Sequence, residues 1–62
     1  MDTRQKIINA TANLIVEEGL DSARISKIAK RAGLTDGAIY RHFENKETLL
    51  KAEAFQNTLS NL

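Results

Sequence analysis

The stretch RISKIAKRAGLTDGAIYRHF, residues 24–43, decides how this chain of 62 residues is read. Its first part places Ile25, Ile28, Ala29 and Ala32 at the three-four spacing that lines one face of a helix. Gly33 follows the last periodic residue, where helices commonly end in the left-handed conformation that glycine enters without a Cβ penalty. Thr35 is a good N-cap for the next segment, because its hydroxyl can accept from the free amides of a first helical turn. Ile39 and Phe43 then give that segment one apolar stripe. Ala29, Gly33 and Ile39 fall four and six residues apart: a small inner side chain that permits close packing, a turn, and an anchor. This spacing predicts a helix-turn-helix, with helices over about 25–32 and 36–43, and it leaves the polar face of the second helix unoccupied.

Upstream, Ile7, Ile8, Thr11, Leu14 and Ile15 mark one face of a longer helix. That helix should start near an Asp2 or Thr3 cap and stop after Glu18, at Gly19. Downstream, Asn45 is a good N-cap for a fourth helix whose apolar series is Leu49, Ala52, Phe55, Leu59 and Leu62. Its first half can pack under the first and third helices, whereas Leu59 and Leu62 reach past what a three-helix core needs. The two middle helices are too short to persist alone and must be held by packing on the first. The fold class is therefore all-α: a three-helix, homeodomain-like helix-turn-helix unit plus the start of a fourth, linking helix.

A domain this small buries only ~60% of the surface its unfolded chain exposes, so its own core is marginal. No cysteine is present to form a disulfide or thiolate site, and a lone histidine cannot assemble a metal cluster. No metal or cofactor is expected. No apolar run approaches the ~20 residues that cross a bilayer, and the N-terminus lacks the apolar core of a signal peptide. A cytoplasmic protein with no membrane partner is expected. The net charge of +1 conceals a strong asymmetry. Residues 1–23 set Arg4 and Lys6 against Asp2, Glu17, Glu18 and Asp21, a net of −2. Residues 24–46 set Arg24, Lys27, Lys30, Arg31, Arg41 and Lys46 against Asp36 and Glu44, a net of +4, so the basic part coincides with the helix-turn-helix.

From Gly33 the chain continues Gly-Leu-Thr-Asp-Gly-Ala-Ile-Tyr-Arg-His-Phe-Glu-Asn-Lys-Glu-Thr-Leu-Leu. This closely resembles the signature of the TetR (tetracycline-repressor) family of bacterial transcriptional regulators, with Tyr40, His42, Phe43 and Lys46 as its specific part. The likeness extends back through Ile28-Ala29 and Ala32-Gly33 to Ile7, Ala10, Leu14 and Gly19, nearly the whole chain. The resemblance implies a DNA-binding domain over residues 1–46, with the helix-turn-helix at 24–43. It implies that residues 47–62 lead toward a larger helical domain, absent here, that binds a small effector and forms a homodimer. The chain is then an excised DNA-binding domain, the favoured reading, or an unusually short chain, and its implied partner is operator DNA in the major groove.

An α-helix fits that groove, and the N-terminal residues of the second helix meet the base edges. Here those are Thr35, Asp36, Gly37 and Ala38, followed by Arg41. Gly37 and Ala38 are too small for bidentate contacts; they permit close approach, with Ala38 able to touch a thymine methyl, or they are simply permissive surface. Arg41 is the candidate for direct readout, since its planar fork matches guanine O6 and N7, with a phosphate contact as the alternative. Asp36 departs from the lysine or other polar residue of many family members; it accepts from a cytosine amino group or arginine, or it serves the helix dipole. By resemblance, Tyr40 and Lys46 are phosphate contacts, aided by the free amides at the start of the fourth helix. Tyr40 as a half-buried packing residue is the plainer alternative. His42 is grouped with these clamps, or is a surface or capping histidine. Ser26 and Lys27 in the first turn of the second helix flank the groove, and Arg24 is counted with them. Arg24 is also a departure, standing where the family usually has a capping Ser or Thr, so that cap must come from Ser22 or Asp21 or be absent. Lys30 and Arg31 are left to solvent or distant phosphates.

A helical protein-interaction module is the second reading, since a basic three-helix unit with an apolar tail can dock another helix. An enzyme is the poorest, because one histidine with scattered carboxylates supplies neither triad, metal nor glycine-rich phosphate loop.

Overall fold

The computed structural model describes residues 2–60, with side chains to residue 56. Four helices run in order: α1 over Thr3–Glu18, α2 over Ile25–Ala32, α3 over Asp36–His42 and α4 over Lys46–Ser60, with a short 3₁₀ turn at Leu20–Ser22 between the first two. Each boundary has a local cause. The Asp2 carboxylate accepts from the Gln5 amide at 2.7 Å and starts α1. Gly19 ends it with φ +94° and ψ 161°, an extended region of positive φ that is essentially reserved to glycine, so the stop falls where the sequence puts it but without the left-handed α geometry.

Gly33 does take the left-handed α conformation, at φ +73° and ψ 32°. The Leu34 amide donates to the Ala29 carbonyl at 2.8 Å and the Gly33 amide to that of Lys30 at 3.2 Å, the paired closure of a Schellman turn. Leu34 packs on the core, as the hydrophobic contact of that motif requires. Thr35 Oγ1 accepts from the Ala38 amide at 3.2 Å and starts α3. Asn45 Oδ1 accepts from the Thr48 amide at 2.8 Å and from the Thr48 hydroxyl at 3.0 Å, and starts α4. By contrast α2 begins at Arg24 with no side-chain cap, so neither Ser22 nor Asp21 takes that part. Helix α3 stops at His42, one residue short of the predicted Phe43. Phe43 adopts extended backbone (φ −136°, ψ 124°), and its ring is only 3% exposed in the core.

The core gathers Ile7, Ile8, Ala10 and Leu14 from α1, Ala23 from the connection, Ile28 and Ala29 from α2, Ile39 from α3, Phe43, and Leu49 from α4. Thr11 is buried with them, its hydroxyl donating to the Ile7 carbonyl at 2.8 Å, so no polar group is left unpaired there. Ala23 was not legible as a core residue, because it stands in no periodic run. Ile15, Ile25, Ala32 and Ala52 complete the cluster at its margin. Helix α4 uses Leu49 and Ala52 as predicted, but Phe55 is 67% exposed: its apolar series leaves this core after one turn and a half. Leu59 and Leu62, the rest of that series, lie outside the residues whose side chains are described. Among the described residues no helix is long and apolar enough to cross a membrane.

Candidate nucleic-acid interface

The polarity of α3 is set by its two anchors. Ile39 is fully buried and Phe43 nearly so, which turns Asp36, Gly37, Tyr40, Arg41 and His42 outward, with Ala38 half-buried between them. Tyr40 is 53% exposed. Among the described residues, no hydrogen bond or ion pair occupies the side chains of Tyr40, Arg41, His42 or Lys46. The phenol, the guanidinium and the ammonium are thus all available to an external acceptor.

Asp36 occupies the first turn of α3 and pairs with no cation among the described residues. An acid there is favoured by the free amides and the helix dipole, which accounts for it without a ligand. Gly37 has no positive φ, and a Cβ placed on it would meet nothing nearer than Thr35 Oγ1 at 3.9 Å. Neither backbone conformation nor internal packing demands a glycine at this position. What it keeps bare is the outer surface of the helix.

Lys46, half-buried, opens α4 directly after the Asn45 cap. The cap side chain takes the Thr48 amide, which leaves the amides of Lys46 and Glu47, the first of α4, without an intrahelical partner. Such a set of donors and positive charge suits an anionic oxygen.

The start of α2 is organised differently. Arg24 and Ser26 are exposed, and among the described residues no side-chain hydrogen bond or ion pair holds them, whereas Lys27 Nζ is held by Glu18 Oε1 at 2.7 Å. One turn on, Arg31 donates to Glu17 from both terminal guanidinium nitrogens, at 2.5 and 3.1 Å. The hydrogen bonds and charge of Arg31 hold the Glu17 carboxyl below its ordinary pKa, and the hydrogen bond to Glu17 raises that of Arg31. Arg31 is therefore tied to α1 and is not the free or distant phosphate partner read from the sequence. Two of the six cations of residues 24–46 answer to carboxylates at the end of α1. The pairs join residues nine and fourteen apart, separations that no helical period reveals.

The structure thus exposes Tyr40, Arg41 and His42 around the outer side of α3, with Lys46 at the next helix start, and it leaves Arg24, Ser26 and Lys27 on a separate turn. Sequence reading also passed over Arg4, whose guanidinium carbon lies 5.3 Å from the centre of the Phe43 ring. A Phe-Arg pair 39 residues apart gives no sequence signal.

Comparison with known proteins supplies the family. The family profile described as "Bacterial regulatory proteins, tetR family" matches residues 7–52. The fatty acid metabolism regulator protein of Bacillus subtilis is 49% identical over 45 residues, 73% of this chain and 23% of the relative. The HTH-type transcriptional regulator SrpR of Pseudomonas putida is 43% identical over 51 residues, 82% of this chain and 24% of its own. The HTH-type transcriptional regulator AcrR of Shigella flexneri is 39% identical over 61 residues, 98% of this chain and 28% of its own. The chain therefore spans about a quarter of the length of the curated relatives it matches. No solved structure gives a significant match. These relatives are named as regulators, not enzymes, and regulators of this family bind DNA. With a helix-turn-helix in place and the profile covering residues 7–52, the chain belongs to the TetR family of bacterial regulatory proteins.

Proposed function

We propose that this chain is the sequence-specific DNA-binding domain of a transcriptional repressor, acting by occupancy of a pseudo-palindromic operator in the bacterial cytoplasm. The observation that carries the reading is the exposure of Tyr40, Arg41 and His42 around the buried Ile39, with Lys46 in no ion pair among the described residues at the following helix start. In it, α3 enters the major groove: Thr35, Asp36, Gly37 and Ala38 approach the bases, Arg41 reads a guanine, and Tyr40, His42 and Lys46 hold phosphates. Arg24, Ser26 and Lys27 flank the groove from α2.

Residues 1–46 form the DNA-binding unit and residues 47–62 lead to a domain, outside this chain, that forms a homodimer and binds a small effector which releases the operator. Two such units would place paired α3 helices in successive major grooves about one turn apart or somewhat more. One module buries roughly 600–1,000 Å² on DNA, so the 62-residue chain alone binds weakly, nearer the non-specific range of ~10⁻⁴–10⁻⁶ M. Nanomolar binding of the single chain to one half-site contradicts this.

The test is an NMR titration of the 62-residue chain with duplex DNA. Amide shifts should concentrate at residues 35–46 and at Ser26 and Lys27. Shifts absent there, with perturbation confined to residues 55–62 on adding a protein partner, favour the interaction-module reading instead.

A further inference from the structure

We infer that Arg4, at the start of α1, is an additional DNA-backbone contact, held in place by the face of Phe43; this rests on the DNA-binding reading above. The guanidinium carbon stands 5.3 Å from the ring centre, within the range of a cation-π contact. Phe43 is itself fixed, being 3% exposed in the core, so the arginine is laid on an immobile surface. A cation–ring contact uses none of the guanidinium N–H groups in a hydrogen bond to an acceptor oxygen, and those donors match a phosphate in bidentate fashion.

No carboxylate takes them. Among the described residues every ion pair involves Lys27, Arg31 or Lys51, and Glu44, next to Phe43 in the chain, is in none. An exposed arginine with unused donors is unremarkable alone; its position is what matters. Phe43 lies one helical turn after Tyr40 and three residues before Lys46, within ~11 Å of the Lys46 backbone even if the connection were fully extended. The cation–ring contact therefore brings the first turn of α1 to the end of the molecule where Tyr40 and Lys46 stand. Along one DNA strand a phosphate recurs every ~3.4 Å of helix axis, so a backbone held by Lys46 offers further phosphates within reach of such a neighbour.

The role is distinguishable from a packing strap. The measurement is fluorescence-anisotropy binding of the 62-residue chain to a labelled mixed-sequence duplex about two helical turns long, between 50 and 200 mM salt. Wild type, R4A, R4Q, R4K and K46A are compared, with far-UV circular dichroism confirming that each is helical. R4A and R4Q should each make the logarithmic salt slope shallower by about 0.9, so that the affinity lost across that range is about 3.5-fold smaller, while R4K keeps the slope. R4Q keeps a long side chain over Phe43 and so covers the case in which R4A does not fold. A shallower slope for K46A with unchanged slopes for R4A and R4Q overturns this inference alone and leaves Arg4 as a strap between α1 and Phe43. Absence of any salt-dependent duplex binding by the wild type overturns both this inference and the DNA-binding reading.

Discussion

The basic residues of α2 and those of the α3–α4 region look alike in the sequence and are treated in opposite ways by the fold. On α2, Lys27 and Arg31 are met by Glu18 and Glu17 at the end of α1. On α3 and at the start of α4, Arg41 and Lys46 meet no carboxylate among the described residues. A cation already paired must exchange one anion for another on binding phosphate, whereas an unpaired one adds its full attraction. The difference teaches that formal charge along a segment overstates the field it offers a partner: the location of opposing carboxylates in space decides how much remains.

The largest perturbation removes both regions together. Ile28 is fully buried and packs α2 into the core beneath both surfaces. I28A should cost about 2–5 kcal/mol, most or all of the stability of so small a domain, and thermal denaturation followed by circular dichroism should show loss of the cooperative transition.

Within the unpaired region, direct readout and clamping separate by their sequence dependence. R41A should relax preference at one base pair by about 1–3 kcal/mol, whereas Y40F and K46A should weaken binding to all duplexes alike. Competition binding against a set of single-base variants of a selected site measures this, and uniform weakening by R41A would show Arg41 to be a phosphate contact. The paired region supplies the contrast. K27A should change the salt slope less than K46A does, and E18Q, which releases the Lys27 ammonium, should steepen it. Equal slopes for K27A and K46A would mean that the Glu18 contact does not withhold Lys27 from DNA.

Gly37 tests the bare surface of α3 directly. Because the backbone there needs no glycine and a Cβ has space, G37A should raise stability by roughly 0.5–1 kcal/mol in denaturant titration while weakening DNA binding. A stabilised variant with unchanged affinity would mean that nothing approaches the helix closely at this point.

The smallest effect is the acid dependence of the paired region. The Glu17 carboxyl is held below its ordinary pKa by Arg31, so this pair contributes stability above the unfolded-state pKa, near the ordinary value of 4.5. That contribution is lost as pH falls through the lower folded-state pKa. The pair is exposed, so the loss is slight; E17Q should flatten the stability profile in this acid window, and an unaltered profile would show the pair to be broken in solution.

What the chain wrote locally could be read locally. Asp2, Thr35 and Asn45 cap their helices through hydrogen bonds that span three residues, and Gly33 closes α2 by a conformation that only its own backbone dictates. The same short range made the outward face of α3 legible, because Ile39 and Phe43 mark its inner side by period alone. The missing cap of α2, the end of α3 at His42 and the burial of Ala23 follow from no period in the sequence.

Sequence by itself determined the number, order and approximate limits of the helices and which side of α3 is buried, since these follow from backbone hydrogen bonding and side-chain spacing over one turn. Tertiary structure alone decided which cations stay unpaired and that Arg4 lies on Phe43, because Glu17, Glu18 and Phe43 reach their partners across nine to 39 residues of chain, through space rather than along it.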